Sequence, residues 1–159
     1  KPFIQGIDLD IEEQISLNDI RSLIRRIRND FEDSFIISVA PIQSSIENDT
    51  PGMGGFIYKD LIKSEEGKRI NWFHVQSYKS FSKETFDEII KNKWNPKQIV
   101  MGMMSGQFTK DTFENALQEV KLCLDQYPTM GGVFVWEYID SPPDENDPSQ
   151  WCRLMAEIG

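Results

Sequence analysis

The feature that most constrains this chain is an alternation, kept from one end to the other, of short β-rich runs with segments whose apolar residues recur every three or four positions. Phe3 to Ile11 opens as an apolar run and then alternates Ile7, Leu9 and Ile11 with Asp8, Asp10 and Glu12, the period of two of a strand. Further strands are expected over 35–41, 70–78, 98–104 and 131–138. Between them lie helical patterns: Ile20, Leu23, Ile24, Ile27 and Phe31, with Asn18 as the expected cap; Phe86, Ile89 and Ile90, capped by Ser82; and Phe113, Ala116, Leu117, Val120 and Leu124, capped by Thr109. Asp147-Pro148 opens a last helix carrying Trp151, Leu154, Met155 and Ile158. Only 42–69 is weakly patterned, a polar, glycine-containing loop with a short helix expected near Tyr58 to Ser64. Five strands joined by helices argue for an α/β fold with parallel strands and right-handed crossovers, either an open doubly wound sheet or part of a (β/α) barrel.

A length of 159 residues suits one domain with one core. With 17 Lys plus Arg against 26 Asp plus Glu, the net charge of −9 has the wrong sign for a phosphate-neutralising partner, so nucleic acid is not expected. No apolar run approaches the roughly 20 residues that cross a bilayer, and no leader with an apolar centre opens the chain, so no membrane association is expected. Cys123 and Cys152 are too few for a disulfide framework and read as two buried thiols. The first strand ends in acids with no G-x-G-x-x-G after it, which argues against a dinucleotide cofactor. Gly52, Gly54 and Gly55 open no clear helix and do not read as a phosphate cradle. Neither a cofactor nor a metal site is expected.

Asp8, Asp10 and Glu12 are spaced to project from one strand face, about 6.6 Å apart at ~3.3 Å per residue, close enough to interact electrically. The opposite face, Ile7, Leu9 and Ile11, belongs against a helix layer. A solvated sheet edge would also turn acids outward, but three carboxylates at the C-terminal end of a parallel strand are where α/β barrels place chemistry. Trp72, His74, Gln76 and Tyr78 likewise share one strand face. His74 reads as a satisfied interior histidine, Arg21, Arg25, Arg26 and Arg28 as a solvated helix face, and Met101, Met103 and Met104 as packing. Trp136 suits either core or site, and Glu137 and Asp140 either line a cleft or face water.

Several of these runs carry a resemblance. Gln5-Gly6-Ile7-Asp8-Leu9-Asp10-Ile11-Glu12 resembles the D-G-x-D-x-D-x-E signature on the fourth barrel strand of glycoside hydrolase family 18, the chitinases and related proteins. Ser38-Val39-Ala40-Pro41 is similar to the fifth strand of its plant hevamine-type branch, Val75-Gln76-Ser77-Tyr78 to the sixth, and Gly131-Gly132-Val133-Phe134-Val135-Trp136 to the eighth. The resemblance spans nearly the whole chain in the family's order. It implies that residues 1–159 are the C-terminal portion of one catalytic (β/α)8 TIM barrel, supplying strands four to eight. Such a piece would need the N-terminal barrel half or self-association to cover its open strand edges. Hydrolysis of β-1,4-linked N-acetylglucosamine polymers or oligomers, chitin above all, is the implied activity, and a secreted location is favoured. In that mechanism the substrate's own acetamido oxygen is the nucleophile. Glu12 would be the general acid, with Asp10 accepting the acetamido N–H, Asp8 tuning Asp10, Gln76 and Tyr78 holding the acetamido group and Trp136 forming the apolar floor. Gln5 departs from the first Asp of the signature, a support for the acid network. That departure makes a chitinase-like sugar-binding protein without full turnover the alternative, and a structural role for a half-barrel a third reading.

Overall fold

The computed structural model describes residues 4–159, so Phe3, the expected start of the first strand, lies outside the described residues. Two compact units are present, one ending at Val75 and the other spanning Gln76–Gly159.

In the first unit the strands are β1 (Gly6–Leu9), β2 (Ile36–Val39) and β3 (Trp72–Val75). They are parallel, with β2 between β1 and β3. The pairs Asp8 with Ser38 and Ser38 with Trp72 put these three residues in one row across the strands. Gly6 permits the pairing, because a Cβ there would sit 2.7 Å from both Cβ and the carbonyl oxygen of Ile36. Between β1 and β2 runs α1 (Leu17–Asp30), which turns Ile20, Ile24 and Ile27 inward against a core that includes Ile37, Val39, Phe73 and Val75. Each of the fully buried isoleucines contributes about 1.5–3 kcal/mol by leaving water. The weakly patterned stretch folds as α2 (Gln43–Glu47) and α3 (Tyr58–Lys63), the second close to expectation, and its Ile46, Tyr58 and Leu61 are buried.

The second unit has α4 (Lys83–Lys91), β4 (Ile99–Met104), α5 (Phe113–Gln126), β5 (Gly132–Trp136) and α6 (Ser149–Ala156). Strands β4 and β5 are parallel. Residues Ile99 to Met103 of β4 are buried throughout, as their unbroken apolar run requires. Phe86 of α4 packs on Tyr127, ring centroids 5.3 Å apart, and the Tyr127 hydroxyl donates to Asp87 at 2.9 Å.

Strand order follows chain order within each unit, every connection carries helix, and the architecture is α/β with parallel strands, as the alternation predicts. Several local expectations are corrected. Helix α1 is capped by Ser16, whose hydroxyl accepts from Asp19 N at 3.1 Å, not by Asn18. Thr112, not Thr109, sits at the cap position of α5, while Ser82 caps α4 as expected. Arg28 is buried, and Arg21 and Arg25 grip Glu66 at 2.9 and 2.5 Å, so α1 does not present a purely solvated basic face. Cys123 is buried but Cys152 is exposed. Ile7 is 41% exposed, unlike its buried neighbour Leu9.

Candidate active site

Strand β1 stops at Leu9, so Asp8 alone of the three acids stands on the strand, while Asp10 and Glu12 lie on the segment that leaves its C-terminal end. The pleat therefore fixes Asp8 only. The other two depend on what holds residues 10–15, and the glycine-containing loop does this. Ile15 N donates to Gly54 O at 3.0 Å, and the Gln14 side-chain amide donates to Met53 O at 3.1 Å. Gly54 lies so close that a Cβ there would meet Ile11 at 2.8 Å. Gly54 and Gly55 thus help seat the acid-bearing segment.

Asp8 Oδ1 accepts the Ser38 hydroxyl at 2.6 Å and lies 3.1 Å from His74 Nδ1. His74 Nε2 in turn accepts the Trp72 indole N–H at 3.0 Å. Partial burial acts to raise the Asp8 pKa, but the hydrogen bonds from His74 and Ser38 outweigh it and hold the carboxyl below its usual value. Asp10 is exposed, and its negative charge adds to the burial that pushes the Tyr58 phenol up. Glu12 is also exposed. The first unit therefore gathers Asp8, Ser38, His74 and Trp72 into one bonded array, with Asp10 and Glu12 following on the same segment.

In the second unit Gln76 and Tyr78 follow β3 directly. Along β3, Trp72 and His74 are half-buried while Phe73 and Val75 are buried, the alternation expected of a strand; Gln76 and Tyr78, beyond its end, are half-buried too. The Tyr78 ring stands 6.4 Å from Phe134, edge to face. Trp136 ends β5 with 61% of its surface exposed in this chain, and the Trp136–Glu137 peptide is cis. Beyond β4 and β5 the loops enclose an open cavity of about 600 Å³, lined by Ser105, Phe108, Lys110, Asp140, Pro142 and Asn146 among others. Asp140 lines this cavity and is exposed. Among the described residues no cluster of His, Cys, Asp and Glu is arranged to hold a metal ion, and no helix is long and apolar enough to cross a membrane.

Sequence reasoning missed Ser38, Trp72 and Tyr58 as parts of the acid array. Ser38 carried a signal, as the one hydroxyl in the apolar run Phe35 to Ala40. Trp72 shared the strand face of His74, a signal for its place though not for its bond, while Tyr58 carried none, since it feels Asp10 across the fold.

Parallel strands with helical connections, and carboxylates at and beyond a strand's C-terminal end, place the chain among α/β proteins and are features of (β/α) barrels that carry chemistry at the strand ends. No family model matches the chain, and no curated protein matches it. Solved structures do. A fungal endo-β-N-acetylglucosaminidase of glycosyl hydrolase family 18 is similar over 97% of this chain at 29% identity and a TM-score of 0.85. The chitinase ChiC of Aspergillus fumigatus is similar over 96% of the chain at 30% identity and a TM-score of 0.76. A Streptomyces coelicolor protein assigned as chitinase A, 13% identical with a TM-score of 0.64, bears on the fold alone. The chain spans 56% to 59% of the length of these three structures. Its fold is accordingly part of a TIM barrel of the kind these glycosidase structures have.

Proposed function

We propose that this chain is the later part, strands four to eight, of a family-18 glycoside hydrolase barrel closest to the hevamine-type branch. Its substrate is β-1,4-linked N-acetylglucosamine, as chitin or its oligomers. The observation that carries the reading is the anchored acid segment. Asp8 is fixed on β1 by Ser38 and His74, and Asp10 and Glu12 follow at two-residue steps on backbone seated by the 52–55 loop. Glu12 donates its proton to the glycosidic oxygen. The substrate's acetamido oxygen attacks the anomeric carbon, and the cyclic oxazolinium so formed is opened by water, with overall retention. Asp10 accepts the acetamido N–H and offsets the positive charge that develops, with Asp8 as its neighbour. Gln76 and Tyr78 orient the acetamido group, and the exposed Trp136 indole supplies an apolar platform for a sugar face.

A second reading, a sugar-binding protein with weak or no turnover, rests on Gln5, which lacks the charge of the signature's first Asp. The partners of Asp8 favour the enzyme, because Ser38 and His74 hold it without any contribution from Gln5, whose backbone carbonyl pairs with Ile36 N at 2.9 Å. The likeness to an endo-β-N-acetylglucosaminidase makes internal N-acetylglucosaminide bonds of longer oligosaccharides the ones to assay.

The test uses protein carrying all eight strands, with matched N-acetylglucosamine and glucosamine oligosaccharides. Cleavage only where the sugar at the scission point is acetylated, with the product anomer retained, is the expected result. Equal cleavage of the deacetylated substrate, or an inverted product, would require a second protein carboxylate and would overturn the mechanism.

A further inference from the structure

His74 has polar partners on both ring nitrogens, and the chemistry of one partner fixes the state of the ring. The Trp72 indole nitrogen only donates, so its 3.0 Å bond requires a lone pair on His74 Nε2. A ring with its lone pair at Nε2 carries its hydrogen on Nδ1, and Nδ1 is the atom 3.1 Å from Asp8 Oδ1. An imidazolium would set a second N–H against the indole N–H. The other donor to Asp8 is the Ser38 hydroxyl, which gives its hydrogen to the same carboxylate oxygen at 2.6 Å, so both partners of Oδ1 donate to it.

We propose, resting on the glycosidase reading above, that Trp72 and His74 are positioning residues whose donor chain, from Trp72 Nε1–H to His74 and from His74 Nδ1–H to Asp8, fixes the rotamer of Asp8, two residues before Asp10. Neither residue needs to touch the sugar. Their work is to hold Asp8 as an oriented acceptor, so that Asp10 keeps one geometry toward the acetamido N–H while positive charge develops there. Two features of the array are suited to this. Trp72 and His74 stand two residues apart on one strand, so their separation is set by backbone geometry rather than by loops. Ser38 reaches the same oxygen from the neighbouring strand, so Asp8 is held from two strands. In a parallel sheet such a row forms only while the register is kept.

Two measurements on the intact protein test this. The first is the 15N NMR signature of the His74 ring at neutral pH, assigned by its loss in His74→Asn. A protonated Nδ1 with a pyridine-like Nε2 is expected, and in Trp72→Phe a mixture of tautomers. The second is steady-state kinetics. His74→Leu removes the donor and lowers kcat by about ten- to a hundredfold, the order of loss seen when a partner that orients a site's ligand is deleted, taken here by analogy from metal sites. KM moves less than about twofold, because the contact matters in the transition state rather than in sugar binding. His74→Asn places an amide N–H near the position of Nδ1–H and restores most of kcat; it also serves should His74→Leu fail to fold. A ring protonated at Nε2 in the wild type, or a His74→Leu variant that folds and keeps its kcat, overturns the proposal. Absence of turnover in the wild type would instead defeat the glycosidase reading, and the NMR result would still decide whether the donor chain exists.

Discussion

Replacing Arg28 with methionine tests how α1 is fastened to its unit. The guanidinium is buried and donates to the carbonyl oxygen of Phe35, to Arg69 O at 2.6 Å and to Asn71 Oδ1 at 3.0 Å. It therefore joins α1 to the entries of β2 and β3. Burial, with the nearby Arg69 charge, holds the Arg28 pKa below its ordinary value, yet the group stays charged and its hydrogen bonds are of the stronger, charge-assisted kind. Methionine keeps most of the stem's apolar packing and removes every donor. Asn71 Oδ1 retains a partner, since Ile37 N also donates to it at 2.8 Å. The carbonyls of Phe35 and Arg69 each lose a donor at about 1–3 kcal/mol, and water reaches the half-buried Arg69 end, so a net loss of about 3 kcal/mol is expected. In urea, with a slope of about 2 kcal/mol per molar, the midpoint should fall by about 1.5 M while the slope is unchanged. Arg28→Lys should lie between, because a compact ammonium does not reproduce the planar fan of donors. A midpoint within about 0.25 M of wild type for Arg28→Met would mean that water replaces the guanidinium at no cost, and would refute the reasoning.

Glu12→Gln keeps the shape of the side chain and removes the transferable proton, so the rate of hydrolysis should fall on the order of a hundred- to ten-thousandfold while oligosaccharide affinity changes little; retention of most of the rate would remove Glu12 as the acid. Arg25 first and Arg21 second hold the Glu66 carboxyl at about 2, against an ordinary value of 4.5. A depressed carboxylate stabilises the fold fully above its unfolded value, and that contribution is lost as pH falls from about 4.5 toward 2; Glu66→Gln should flatten this part of the stability–pH curve, and an unchanged acid limb would contradict it. A thiol reagent should label Cys152 rapidly in the native protein and spare Cys123, which is buried and whose pKa burial pushes up to about 12; early modification of both would show that the α5 face opens.

The sequence by itself determined the elements and their class. Helical and strand periods are local, written in which residues recur at three or four positions and which alternate, so all five strands, the principal helices and the acid run from Asp8 to Glu12 were legible before any coordinates. Caps were less so. Ser16 and Asn18 are both capping types two residues apart, and the choice falls to the residue where the chain turns after β1, a point held by the bond from Ile15 to Gly54 far along the sequence. The end of β1 at Leu9, the seating of residues 10–15 on the 52–55 loop, the burial of Arg28 and the ring state of His74 were decided only by tertiary structure. Each depends on partners distant in the chain: Arg28 on Arg69, 41 positions away, and His74 on Asp8, 66 positions away. A residue's period states which face it occupies. What stands on that face opposite it is fixed by strand register and packing, and there a helix-face arginine became a buried clamp and an interior histidine the support of an acid.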